Sequence, residues 1–90
     1  MTDIKHNEQA QRFETTVDDT TAYLSYQVQG DKLVYDHTIV PSAISGRGIA
    51  GDLTKHALDY ARDQGKKVIP ACSYVASYMQ KHPEYADLQG

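Results

Sequence analysis

Between His37 and Asp52 the chain stops alternating and begins to repeat with a helical period, and the change of step falls on glycines: His37-Thr-Ile-Val-Pro-Ser-Ala-Ile-Ser-Gly-Arg-Gly-Ile-Ala-Gly-Asp52. Few folds accept such a stretch. It reads as a strand, a short connector, a glycine-rich turn and the opening of an amphipathic helix. A helix that starts just after glycines has free first N–H groups, and the backbone there can approach a ligand closely. Its N-terminus is also the positive end of the helix dipole, which suits phosphate. Gly46, Gly48 and Gly51 are therefore expected to hold the diphosphate of a cofactor.

The remaining segments fit around this one. Residues 1–10 are polar without an apolar period and are expected to form a tail, leaving residues 11–90 as a single domain. From Arg12 to Val17 the residues Phe13, Thr15 and Val17 alternate with polar neighbours, as in a strand with one buried face. Asp18-Asp19-Thr20 is a turn signal. Thr21 to Gln29 alternates again, and Gly30-Asp31 is a two-residue hairpin connection, because glycine accepts the positive φ of a tight turn. Lys32 to Val40 sets Leu33, Tyr35, His37 and Ile39 on one face and Val34, Asp36, Thr38 and Val40 on the other, which predicts a strand covered on both sides. These three strands make an antiparallel meander.

Pro41 ends the third strand, since it has no N–H to donate to a ladder. From Gly48 onward Ile49, Leu53, Ala57, Tyr60 and Ala61 line one helical face, with Gly65 as the stop. Val68 to Cys72 is a short apolar run, read as a fourth strand parallel to the third through a right-handed crossover. Ser73 is placed to cap a second helix, Tyr74 to Lys81, which ends near His82 because Pro83 follows. Glu84 to Leu88 adds a turn. The fold class is thus mixed α/β, a three-stranded meander with a parallel fourth strand and two main helices.

Composition excludes several function classes. Ninety residues make one small domain, and a net charge of −3 gives no general attraction to nucleic acid. No apolar run reaches the length of a membrane span, and the first residues have no leader pattern. The single cysteine, Cys72, cannot form an internal disulfide. No His, Cys and carboxylate set has metal-ligand spacing, so no metal is expected. A soluble, cytoplasmic monomer is the expectation.

Gly46-Arg-Gly-Ile-Ala-Gly51 satisfies two nucleotide patterns, and context removes both. A dinucleotide fingerprint needs a strand directly before it and an acid about 20 residues later. Here five residues, 41–45, intervene, and the later stretch, 68–72, contains no acid. A P-loop needs Lys and Ser/Thr after its last glycine, whereas Asp52-Leu53 follows. A third pattern fits. In the GNAT-type N-acetyltransferases a strand feeds a loop of the form Arg/Gln-x-x-Gly-x-Gly/Ala, whose amides bind the pyrophosphate of acetyl-CoA. Ser45-Gly46-Arg47-Gly48-Ile49-Ala50 resembles it, with Ser45 where Arg or Gln is usual. Arg47 adds a charge suited to a phosphate. The plainer alternative is a tight turn leading into a closely packed helix start.

Pro70-Ala-Cys-Ser-Tyr-Val75, continuing through Tyr78-Met-Gln-Lys-His-Pro-Glu-Tyr85, narrows the resemblance to the minimal, cysteine-containing branch of that superfamily, small stand-alone domains. His37-Thr-x-Val40 agrees with the same branch. The resemblance covers about residues 12–88. It implies a truncated GNAT-like fold that binds acetyl-CoA or CoA and transfers an acetyl group to an amine acceptor, protein or small molecule. Backbone groups around Ile39 and Val40 would hold the pantetheine arm, and residues 45–51 the pyrophosphate. Strands that help to build the acceptor site in full-size relatives would be missing or reduced. A CoA-binding module without catalysis is the alternative.

Two side chains carry the chemistry. Cys72 lies at a strand exit just before a helix N-terminus, where the dipole favours thiolate and so a better nucleophile. It either becomes acetylated or only lines the pocket while an amine attacks directly; a buried cysteine acting as a small apolar residue is the commonest state of the residue type. Tyr78 holds the place where many GNAT enzymes carry a tyrosine that protonates the departing CoA thiolate, or else it is an aromatic packed on the sheet. His37 reads as a hydrogen-bonded core histidine on the border of the cleft.

Overall fold

The computed structural model describes residues 3–90. Its five-stranded sheet follows chain order: β1 (Lys5–Asn7), β2 (Arg12–Val17), β3 (Thr20–Gln29), β4 (Lys32–Ile39) and β5 (Lys67–Pro70). The first four strands run antiparallel to their neighbours, and β5 lies parallel to β4. Helix α1 (Ile49–Asp63) connects β4 to β5, helix α2 (Ser73–Lys81) follows β5, and a 3-10 segment, Pro83–Leu88, comes last. This is the mixed α/β class read from the sequence, with one more antiparallel strand.

That strand corrects the expected tail. Met1 and Thr2 lie outside the described residues, but Lys5–Asn7 pairs with Arg12–Glu14 of β2. The segment has no apolar period because one side chain anchors it. The His6 ring stacks on Phe13 at 4.3 Å between centroids, meets Tyr60 edge-on at 4.5 Å, and places Nε2 2.5 Å from the Tyr26 hydroxyl.

The two hairpins behave as their residues require. Asp18 and Asp19 both take positive φ, 50° and 63°, at the tip between β2 and β3. Gly30 does so at 60° between β3 and β4, where Gln29 pairs with Lys32 across a two-residue loop. Both helices lie against one face of the sheet. There Phe13, Leu24, Leu33 and Tyr35 meet Leu53, Ala57 and Leu58 of α1 and Val75 and Met79 of α2. The buried Tyr35 hydroxyl donates to the Ala57 carbonyl at 2.5 Å, and burial keeps its pKa far above the ordinary phenol range. The opposite face carries Glu14 beside Arg12, the Arg12 guanidinium over the Tyr23 ring, and Asp36 beside Ser25 and Gln27. The sequence reading of β4 as covered on both sides is thus corrected: Val34 on the outer face is only half-buried.

One irregularity in β4 sets up everything beyond it. Tyr26 faces Tyr35, yet Ser25 faces His37, so Asp36 is an extra residue in the strand. A bulge of this kind breaks the alternation of side chains. Leu33 and Tyr35 point into the core, whereas His37 and Ile39 are exposed and Thr38, opposite the buried Leu24, takes the inward direction. The expectation of His37 as a core histidine fails for this reason.

Candidate functional site

Beyond Tyr35 the parallel strands part. β4 pairs with β5 only from Lys32 to Tyr35, and the last link is the Cys72 N–H to the Tyr35 carbonyl at 2.9 Å. From His37 to Ile39, β4 is paired with β3 on one side and not with β5 on the other. Pro70 ends β5 two residues earlier than the apolar run suggests, and Ala71 leads straight to the cap of α2. The gap between the strands is bordered by Ile39, which is 43% exposed, and by the start of α2.

Cys72 is the N-cap of α2; Ser73, expected there, is the first helical residue. The half-buried thiol sits 3.5 Å from the Thr38 hydroxyl. Partial burial alone would raise its pKa. The Thr38 hydroxyl and the amides of Val75, Tyr74 and Thr38 outweigh that, and the net shift is downward, toward thiolate. The sulfur closes no standard capping hydrogen bond, so the helix amides act on it as oriented dipoles.

The glycine turn opens α1 as its pattern predicts. A 3-10 turn, Ser42–Ile44, is pinned into the core by buried Ile44. Gly46 and Gly48 then both adopt left-handed φ, 79° and 76°, and Gly48 is the N-cap of α1. The first intrahelical bond runs from the Asp52 N–H to the Gly48 carbonyl at 3.0 Å, so the amides of Ile49, Ala50 and Gly51 precede it. A Cβ on Gly46 or Gly48 would meet nothing within 4 Å, which leaves open space over the turn. Ser45 directs its hydroxyl back to the Ser42 carbonyl at 3.0 Å and closes the turn. Arg47 lies 2.9 Å from Asp18 at the β2–β3 tip; both are exposed, and such a pair is weak and screened by salt.

The starts of the two helices are neighbours. The Tyr74 hydroxyl lies 3.5 Å from a Cβ position on Gly51, and the Tyr78 ring edge 3.9 Å from it. Tyr78 stacks on His82 at 4.0 Å, and burial pushes its hydroxyl pKa up, with Lys55 opposing. The structure therefore brings Cys72 against Thr38, in the part of β4 that β5 leaves unpaired, and the start of α2 against Gly51 of α1 through Tyr74, and it sets Tyr78 one helical turn farther along α2. Two residues at this place carry no signal in the sequence pattern: Thr38 faces inward because the bulge, invisible in the alternation, reverses its side, and Tyr74, 41% exposed, stands two residues after the cysteine with its hydroxyl by Gly51. Among the described residues no three His, Cys, Asp or Glu side chains converge as metal ligands would.

The family model of the GCN5-related N-acetyltransferases matches residues 12–88. Protein NATD1 of Mus musculus is 34% identical over 83 residues, which cover 89% of this chain and 76% of that protein. Protein NATD1 of Homo sapiens is 40% identical over 63 residues, 69% of this chain and 56% of that protein. The NMR solution structure of a GCN5-like protein from Staphylococcus aureus superposes with a TM-score of 0.77 at 27% identity, covering 98% of this chain and 87% of that one.

Proposed function

Because the chain belongs to the GCN5-related N-acetyltransferase family, we propose that it binds acetyl-CoA in the gap between β4 and β5 and passes the acetyl group to an amine by way of Cys72. The observation that supports this reading is the Cys72 thiol against the stretch of β4 that β5 leaves unpaired, with the start of α2 beside that of the glycine-opened α1.

The residues present fit such a ligand. The open space over Gly46 and Gly48 leaves room for a diphosphate against the amides of residues 46–51, and the dipole of the fifteen-residue α1 favours its charge. Arg47 exchanges its exposed partner Asp18 for a phosphate oxygen. Ser45 supports the turn rather than the ligand. Backbone groups around Ile39 and Val40, on the side of β4 that β5 leaves unpaired, pair with the amide groups of an extended pantetheine arm. Acetyl-CoA supplies an activated acetyl thioester when bound. Cys72, held toward thiolate, takes the acetyl group and yields it to the acceptor nitrogen. Tyr78 serves as proton donor to the departing thiolate; it is protonated at neutral pH, as any phenol is.

Intact-protein mass spectrometry after mixing with acetyl-CoA tests the proposal, run on the wild type and Cys72→Ala beside a titration of CoA binding. One acetyl adduct on the wild type, absent from the variant that still binds CoA, is the expected result. Binding without an adduct points to a CoA-binding module, and absence of binding defeats the reading.

A further inference from the structure

We infer that Thr38 is a positioning residue that stabilises and aims the Cys72 thiolate, and that the extra residue Asp36 exists in β4 to turn Thr38 toward it. The inference rests on the reading of Cys72 as acyl acceptor and deepens it.

The geometry is specific. In an unbroken strand Thr38 would share the face of Asp36, whose carboxylate accepts from Ser25 and Gln27 on the helix-free side of the sheet. The bulge reverses that parity, and the Thr38 Oγ1 arrives 3.5 Å from the Cys72 sulfur, 34 residues away along the chain. The other end of the pair is fixed too, because the Cys72 N–H is bonded to the Tyr35 carbonyl just before the bulge. Tyr35 and Thr38 of β4 thus hold the backbone and the side chain of one residue.

A hydroxyl suits both charge states of the thiol. When Cys72 is protonated, its S–H points at the Thr38 oxygen. When the proton leaves to solvent, the hydroxyl rotates and donates to the sulfur, as only a group that is both donor and acceptor can. The thiolate then forms a bond to the acetyl carbon while the bond from that carbon to the CoA sulfur breaks, and CoA departs with the electron pair. In the second half, the acceptor nitrogen bonds to the same carbon, the bond to the Cys72 sulfur breaks, and the nitrogen loses a proton to solvent. Cys72 leaves as thiolate, again opposite the Thr38 hydroxyl. The same contact therefore assists the sulfur as nucleophile and as leaving group.

The test reads the thiol without any cofactor. With a single cysteine in the chain, the rate of alkylation by iodoacetamide against pH reports Cys72 alone. Thr38→Val keeps the shape and removes the hydroxyl; it is expected to move the titration midpoint up by about one pH unit, since hydrogen bonds to charged groups are among the stronger ones. Thr38→Ser, which keeps the hydroxyl, is expected to restore the wild-type midpoint, and circular dichroism confirms that each variant is folded. An unchanged midpoint in Thr38→Val overturns the inference. Equal shifts in the Val and Ser variants overturn it as well, by showing that packing and not the hydroxyl matters. A missing acetyl adduct on the wild type would defeat the acetyl-transfer reading instead, whatever the midpoints show.

Discussion

Gly48 and Gly51 stand three residues apart and answer to different demands. Gly48 has φ of 76°, and any side chain there strains the backbone by roughly 1–2 kcal/mol. Gly48→Ala is expected to lower stability by that amount in urea unfolding, and Gly48→Val to weaken CoA binding further by crowding the open turn. Gly51 is helical, and a methyl there would touch the Tyr74 hydroxyl at an ordinary 3.5 Å. Gly51→Ala is expected to raise stability by about 0.5–1 kcal/mol, the usual gain over glycine inside a helix. A second pair gives a pH signature. Asp59 is partly desolvated, which favours its neutral form, but hydrogen bonds from Tyr85 at 2.7 Å and Lys55 at 3.1 Å win and lower its pKa. Its stabilising contribution is present above the ordinary carboxylate range and lost as pH falls through the lowered value. Tyr85→Phe is expected to cost about 1 kcal/mol at neutral pH, with the difference from wild type shrinking in acid.

At the scale of elements, β1 depends on His6. Burial lowers the imidazole pKa, Glu8 opposes this, and His56 adds to the lowering. The fold therefore prefers neutral His6, and stability is lost as pH falls below the free-imidazole value of about 6.5 and through the lowered one. Amide exchange of β1 is expected to speed up over that range, and His6→Phe, which keeps a ring on Phe13, to remove the pH dependence. Periodicity made β2, β3, β4 and α1 legible, because each buries a regular set of side chains; even the loop between β3 and β4 was marked by Gly30. β1 was not legible, since one aromatic stack rather than a period holds it. The site was half legible for a related reason. Glycines and a cysteine declare themselves by type, whereas Thr38 acquires its place from an extra residue two positions upstream that no pattern of apolar residues records.

The whole molecule is packed to an ordinary density: its Cα radius of gyration is 12.3 Å, against about 12 Å expected for a chain of this length. The parting of β4 from β5 is thus a local feature of a tight body. No helix among the described residues is long and apolar enough to cross a membrane. The last residues meet β5 on its outer side, where Gln89 bridges to Val68 and the Gly90 N–H bonds to the Val68 carbonyl at 2.9 Å. Arg62 secures this segment through Asp87 and the Glu84 carbonyl. At the far side of the sheet, β1 is three residues long and carries Lys5. Exposed strand margins seed aggregation when they are long and unpaired, and both margins here are blunted. Removing Gln89 and Gly90 is accordingly expected to make light scattering grow with protein concentration, so that two residues remote from the gap govern how far the protein can be concentrated before its sheets begin to join.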